Sequence, residues 1–373
     1  MNRWAWAEVD LHAIADNVGQ LRTVTEPAEV WAVVKADGYG HGAVEVGRAA
    51  LTAGAAGLCV ALVSEGVSLR NAGIDAPILV LSEQPPASLA DLVAHDLIAT
   101  VSTEDGIDRL AAAVGDSRSV AQRVHLKVDT GMHRVGARPE DAQALAGRIA
   151  AHAPTLGLDG VFTHLAVADE PDNPYTDAQL RRFDAVLAEL SNVDDVAVHT
   201  ANSAAALTRP DARRSLVRIG IAMYGISPGA ALDELAAALR PALSLKARIS
   251  FVKRLTAGDR LSYGLRHTLV GAANVATVPI GYADGVRRNL SGTGATVLVG
   301  GRRRQIIGTI TMDQLMVDCG DDPVAVGDEV VLLGRQGDSE IRAEEWASTL
   351  GTIGYEVVCG IGPRVPRRYV SGE

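Results

Sequence analysis

The sequence predicts an α/β chain: an N-terminal (β/α)8 barrel of the TIM type followed by a mostly β C-terminal domain. Three observations carry this. Eight short apolar runs alternate with amphipathic segments over the first two thirds of the chain. From about Pro241 the helical periodicity fades, and β-rich segments with Gly and Asp turns take over. Polar residues able to do chemistry gather just after the apolar runs, which in a barrel is the catalytic rim.

Residues 4–9 read as an opening strand. Asp10 then stands as N-cap to a helix whose Leu11, Ile14, Val18 and Leu21 share one face. The eight runs follow at 30–34, 57–62, 77–81, 98–101, 123–128, 158–163, 195–199 and 216–219. They are continuously apolar, as parallel strands buried on both faces must be. Helix-like stretches lie between them, among them 104–114, 139–152 and 175–190. A doubly wound open sheet is the alternative, but it usually has fewer strands, and no GxGxxG with a trailing acid is present. The later β segments are 243–255, 274–280, 295–299, 305–318 and 328–333, with a helix at 342–350. Residues 225–241 form the junction. The expected domains are 1–238 and 239–373, the first few residues pairing with the second.

Composition narrows the function. A chain of 373 residues is long enough for about two domains. Thirty-five basic against 45 acidic residues give a net charge of −10, which argues against nucleic acid or an anionic membrane as partner. No apolar run approaches the ~18 residues of a membrane span, and residues 1–10 lack the order of a signal peptide. Cys59, Cys319 and Cys359 are far apart, so a reducing cytoplasm is expected. Neither HExxH nor a paired-cysteine spacing occurs, so no metal is expected.

The strand ends carry the chemistry. Lys35 follows the first run, the fifth carries Lys127 and leads to Arg134, and His164 follows the sixth. Asn202 and Ser203 come after the seventh, and Arg218, Gly220 and Ile221 lie in and after the eighth. A buried lysine loses basicity and can form a Schiff base with an aldehyde. Asn-Ser and Arg-x-Gly-Ile offer backbone N–H groups near helix starts, suited to a phosphate. Each also has a plain reading: a strand-end lysine, a helix cap, a structural histidine. The second domain adds polar bends around Tyr263, Tyr282, Met312 and Tyr355.

Taken together, VVKADGYGHG (33–42), LKVDTGMHRVG (126–136), HTANSAA (199–205), VRIGIAMYG (217–225), LSYG (261–264), PIGYADG (279–285), TMDQ (311–314) and TIGYEVV (352–358) resemble the alanine racemases, pyridoxal-phosphate enzymes of fold type III. The resemblance runs over nearly the whole chain. It implies a barrel plus β domain, a homodimer with shared active sites, pyridoxal 5'-phosphate as cofactor and an amino acid as substrate. It implies interconversion of L- and D-alanine for peptidoglycan synthesis. Lys35 resembles the cofactor-holding lysine and the base on one face of Cα, and Tyr263 from the other subunit the base on the opposite face. Tyr39, Ser203, Gly220, Ile221 and Tyr355 resemble the phosphate clamp, with Asn202 in the same loop. Arg218 resembles the partner of the pyridine nitrogen. Arg134 and the other subunit's Met312 resemble the carboxylate site, with Asp313 following Met312. Lys127 matches a lysine carbamylated in many members, which orients Arg134. A tyrosine base needs nearby positive charge to work at neutral pH, since its ordinary pKa is ~10; His164, linked toward Arg218, is the expected source.

One departure stands out. Thr309 occupies a position where the family usually has an arginine of the outer substrate corridor, near positions matching Asp169 and Arg288, with Ile353 further in. Altered KM or a broader substrate range is expected from it. The rival readings are a racemase of serine or basic amino acids, a fold-type III decarboxylase, and a non-enzymatic pyridoxal-phosphate protein. Arg218 speaks against the decarboxylase, which places an acid at the pyridine nitrogen. The second domain speaks against the last.

Overall fold

A computed structural model describes residues 3–115, 120–191 and 195–371. The chain opens with strand β1 (Ala5–Asp10). The next eight are β2 (Glu29–Val33), β3 (Gly57–Val60), β4 (Ile78–Val80), β5 (Ala99–Val101), β6 (Gln122–Lys127), β7 (Leu156–Phe162), β8 (Ala197–His199) and β9 (Leu216–Ile219). All eight expected runs are strands. They form two parallel four-stranded sheets, β4-β3-β2-β9 and β5-β6-β7-β8. A parallel bridge between Leu79 and Ile98 joins one seam, and the Ser215 N–H bonds the Val198 carbonyl at 3.0 Å across the other, closing the barrel. Most of their residues are buried on both faces, which is why the runs are largely apolar; β7 and β8 keep part-exposed positions, Asp159 among them.

The helices obey their end signals. Asp10 caps Leu11–Thr25 by accepting from the N–H groups of His12 and Ala13. Thr103 caps Glu104–Val114 in the same way. The expected 139–152 helix begins as a 3-10 turn at Pro139–Asp141 before the α-helix Ala142–Ala151, and Tyr175–Glu189 matches the third.

The remaining strands are β10 (Leu243–Arg248), β11 (Phe251–Leu255), β12 (Arg260–Leu261), β13 (His267–Thr268), β14 (Ala273–Val278), β15 (Thr296–Val299), β16 (Arg302–Ile307), β17 (Leu315–Asp318), β18 (Glu329–Gln336), β19 (Ser339–Ile341) and β20 (Arg367–Val370). Most join one large sheet in the order β11-β14-β17-β16-β15-β18-β10-β1-β20. β1 lies between β10 and β20, so the start of the chain completes this sheet rather than the barrel. Two expected segments are divided. Residues 243–255 break at Ile249–Ser250, where the backbone leaves β18 and pairs with β14. Residues 305–318 break at 308–314, a loop entered through Gly308 at φ +68°. The helix Gly354–Cys359 had no expected counterpart.

Candidate active site

The turn after β2 sets the site. Lys35–Tyr39 is a left-handed turn, with φ of 53°, 52°, 61° and 52° at Ala36, Asp37, Gly38 and Tyr39. L-residues lose about 1–2 kcal/mol each in such a helix, so neighbours must hold it. Glu65 accepts from the Ala36 N–H at 2.6 Å, and Asp37 accepts from the Ala43 N–H at 3.0 Å. At Gly40 a Cβ would lie 2.5 Å from the Val358 carbonyl, so the C-terminal domain presses on this turn where only glycine fits.

The turn aims Lys35 and Tyr39 into a cavity of about 740 Å³ at the C-terminal ends of the barrel strands. Lys127, Arg134 and His164 line it, as do Asn202, Ser203, Arg218, Gly220 and Ile221. From the C-terminal domain it receives Ile353 and Tyr355.

The cavity is cationic. Burial, then the charge of Arg134, lowers the Lys35 amine, while Glu65 opposes the shift. Lys127 donates to the Leu81 carbonyl at 3.0 Å. Burial, then Arg218, Arg134 and Lys35, pushes it down to about 8. Arg218 is buried and meets no carboxylate in its hydrogen bonds. It donates to His199 Nδ1 at 2.8 Å, to the Thr163 and Thr200 carbonyls at 2.9 and 3.0 Å, and to His164 Nδ1 at 3.2 Å. Burial lowers it to about 10, which leaves it charged at neutral pH. His164 differs from expectation. Burial, then Arg218, holds its ring well below the usual range, so it is a neutral acceptor and not a source of positive charge.

Hydroxyls gather at the other end. Ser203 Oγ accepts from the Gly220 and Ala222 N–H groups at 2.9 and 3.4 Å, so the Gly220 N–H reaches the cavity through that hydroxyl. Burial raises the phenols of Tyr39 and Tyr355, whose rings lie 6.1 Å apart, and keeps both as O–H donors. A Cβ on Gly220 would sit 2.7 Å from Tyr39 Oη, so the hydroxyl uses the space that glycine leaves. Asn202 takes the plain role: its side chain caps Ser203–Thr208 by accepting from the Ala205 N–H at 3.0 Å. The set fits a phosphate ester bearing an aldehyde: hydroxyl donors for the anion, an amine of lowered basicity for the aldehyde, and a buried cation at the floor.

Tyr263, Met312 and Asp313 do not line this cavity. Tyr263 opens a 3-10 turn of the C-terminal domain and is 74% exposed; Met312 is 52% exposed. Asp313 pairs with Arg364 at 2.7 Å, and Arg364 also approaches the buried Asp284 at 3.4 Å. Thr309, Asp169 and Arg288 also lie outside it. Thr309 is buried, and its hydroxyl donates to the Tyr263 carbonyl at 2.9 Å. Ser262 Oγ donates back to the Thr309 carbonyl at 2.6 Å. The position of the expected corridor arginine therefore holds an anchor for the Tyr263 turn. Among the described residues there is no cluster of three His, Cys, Asp or Glu able to hold a metal.

Three contributors escaped the sequence reading. Glu65 binds the Lys35 turn from a helix 30 residues on and had no local signal. Phe162 puts its ring 5.3 Å from both Lys127 Nζ and Arg218 Cζ. His125 lies two residues before Lys127 on the same strand face, a parity that would have marked it as inward-facing.

The family model for the alanine racemase N-terminal domain matches residues 9–228, and that for the C-terminal domain matches residues 242–369. An alanine racemase of Symbiobacterium thermophilum is 48% identical over 379 residues, covering 100% of this chain and 98% of the relative. One of Thermobifida fusca is 46% identical over 375 residues, covering 100% and 99%. The crystal structure of alanine racemase from E. faecalis superposes with a TM-score of 0.93 at 41% identity, covering 99% of this chain and 98% of that one.

Proposed function

The chain belongs to the alanine racemase family and interconverts L- and D-alanine; from that premise we propose how its residues do so. The observation that carries the reading is the convergence of Lys35, the buried Arg218 and the Ser203, Tyr39 and Tyr355 hydroxyls on one cavity. The residues fit pyridoxal 5'-phosphate as cofactor: Lys35 would hold its aldehyde, Arg218 would face its ring nitrogen, and the three hydroxyls, with Gly220 and Ile221, would hold its phosphate. His164 and Asn202 complete the wall. Once bound, it supplies an electron sink that acidifies the Cα–H of the substrate.

Racemisation needs a proton taken from one face of Cα and another given to the opposite face. Lys35, its basicity lowered by burial, serves one face. Tyr263 serves the other, and it comes from a second copy of the chain. Its exposure, together with its absence from the cavity, supports a homodimer with shared sites. Arg218 stays charged and does not release its proton at neutral pH, so at the cavity floor it would act as a hydrogen-bond donor and not as an acid. Arg134 binds the substrate carboxylate with Met312 of the second copy, whose loop Asp313 braces through Arg364. At about 8, Lys127 keeps a neutral fraction able to take up CO2, and the carbamate orients Arg134.

The product serves peptidoglycan synthesis in the cytoplasm. The three cysteines are free thiols, in keeping with a reducing compartment. Among the described residues no helix is long and apolar enough to cross a membrane, and the net charge of −10 gives no basis for a nucleic-acid partner.

The test is D-alanine formation from L-alanine by the cofactor-loaded protein, with L-serine and L-lysine beside it. Conversion of alanine in both directions is expected. A lysine-bound cofactor that turns over serine or lysine but not alanine would overturn the substrate. The shared site is tested by mixing Lys35→Ala and Tyr263→Ala proteins: activity should return on subunit exchange, and demonstrated exchange without activity refutes it.

A further inference from the structure

A hydrogen-bond chain leaves the cavity floor and enters the barrel core, and no step above uses it. Arg218 Nη1 lies 2.8 Å from His199 Nδ1. His199 Nε2 lies 2.9 Å from His125 Nδ1, and His125 Nε2 lies 3.5 Å from Asp159 Oδ2. Both rings are buried.

Only one proton arrangement satisfies these contacts. A guanidinium can only donate, so His199 Nδ1 is bare and its proton sits on Nε2. That N–H donates to His125 Nδ1. The His125 proton is then on Nε2, which makes no hydrogen bond of its own but faces the Asp159 carboxylate across 3.5 Å. A charged His125 would set one donor against another further along, so both rings are neutral. Burial lowers both histidines, and Asp159 opposes this at His125 without reversing it.

The backbone is shaped to permit the chain. The register of β6 against β7 shifts between Val124 and His125, which leaves Asp159 as the extra residue of a β-bulge. Gly160 follows, and a Cβ there would stand 2.6 Å from the His125 ring. Phe162 stacks on His199 with centroids 4.6 Å apart and planes 7° from parallel, fixing that ring's orientation.

We propose that Asp159 and His125 are positioning residues for Arg218: the carboxylate polarises the two neutral histidines and holds the guanidinium in one orientation at the cavity floor. The functional half of this inference rests on the racemase reading; the tautomer assignment does not.

The experiment uses the cofactor-loaded protein with 15N-labelled histidine, as wild type, Asp159→Asn and Asp159→Glu. In the wild type, His125 and His199 should both be neutral with the proton on Nε2. Asp159 is 42% exposed, so the Asn variant should fold, which an unchanged circular dichroism spectrum checks. It should move the 15N shifts of both rings and lower kcat for alanine by about three- to tenfold, with KM within about twofold. Asp159→Glu should restore part of both. Finding either ring as the Nδ1–H tautomer or as imidazolium overturns the proposal. So does a fall in kcat without movement of the shifts, which would mark a merely structural role. A wild type with the expected tautomers but no alanine turnover would support the wiring and sink the racemase reading instead.

Discussion

Thr309→Val tests whether the Tyr263 turn is held from below. Valine keeps the shape of threonine and removes the hydroxyl that donates to the Tyr263 carbonyl at 2.9 Å. The site is 5% exposed, so water does not readily replace that donor. Losing a hydrogen bond of this kind costs about 1 kcal/mol, and up to ~3 kcal/mol if the carbonyl stays buried and unpaired. The turn has an incentive to relax: Ser262 sits at φ +61°, ψ −175°, a region nearly reserved for glycine that costs ~1–3 kcal/mol for other residues. The lower figure gives roughly a fivefold loss of aligned Tyr263, since ~1.4 kcal/mol is tenfold. The assay is turnover from each enantiomer, with and without deuterium at Cα. On the proposed role of Tyr263 as the base of one face, the isotope effect should rise for one enantiomer and not for the other. Thr309→Ser, which keeps the hydroxyl, should stay near wild type. Equal losses for Val and Ser, or an unchanged Val variant, would refute the anchoring argument.

Other perturbations probe other parts of the site. Gly220→Ala places a Cβ 2.7 Å from Tyr39 Oη, too close for the hydroxyl to stay, and should weaken cofactor retention roughly tenfold in an absorbance titration; unchanged retention would remove Tyr39 from the clamp. In CO2-free buffer, Lys127→Met should gain most thermal stability below pH 8. The folded lysine has its pKa lowered to about 8, so the unfolded chain binds more protons from there up to the ordinary lysine value. Wild-type stability therefore rises with pH across that window, and the variant's advantage should shrink; a pH-independent difference would show that the lysine is not desolvated. Arg364→Gln frees Asp313 and removes one cation near the buried Asp284, which keeps Arg3 at 2.6 Å. The protein should fold, with KM for alanine raised several-fold and kcat little changed, as steady-state kinetics will report.

Much of the site was legible because barrel chemistry sits where strands end. Lys35, Lys127, His164, Asn202 and Arg218 each lie at or beside the end of an apolar run, and all line one cavity. Their local duties were less legible. Asn202 turned out to cap a helix, and His164 to be neutral, because burial and Arg218 outweigh any proton it could gain. Thr309 could be seen as a departure from the family pattern, but its contact with the Tyr263 carbonyl depends on how the loop after β16 folds back on residues 262–263.

The sequence by itself determined the alternation of strands and helices, the change to a β domain near Pro241 and the helix cap at Asp10. Of the caps, only Asp10 was legible there; these features depend on burial, on periodicity and on hydrogen bonds a few residues long, all written locally. Tertiary structure alone decided that β1 lies between β10 and β20, that Glu65 steadies the Lys35 turn and that a one-residue bulge sets Asp159 beside His125. It also decided that Thr309 anchors the Tyr263 turn. Such contacts join residues tens to hundreds of positions apart. Strand register and the docking of one domain on the other create them, and no local pattern of residues encodes either.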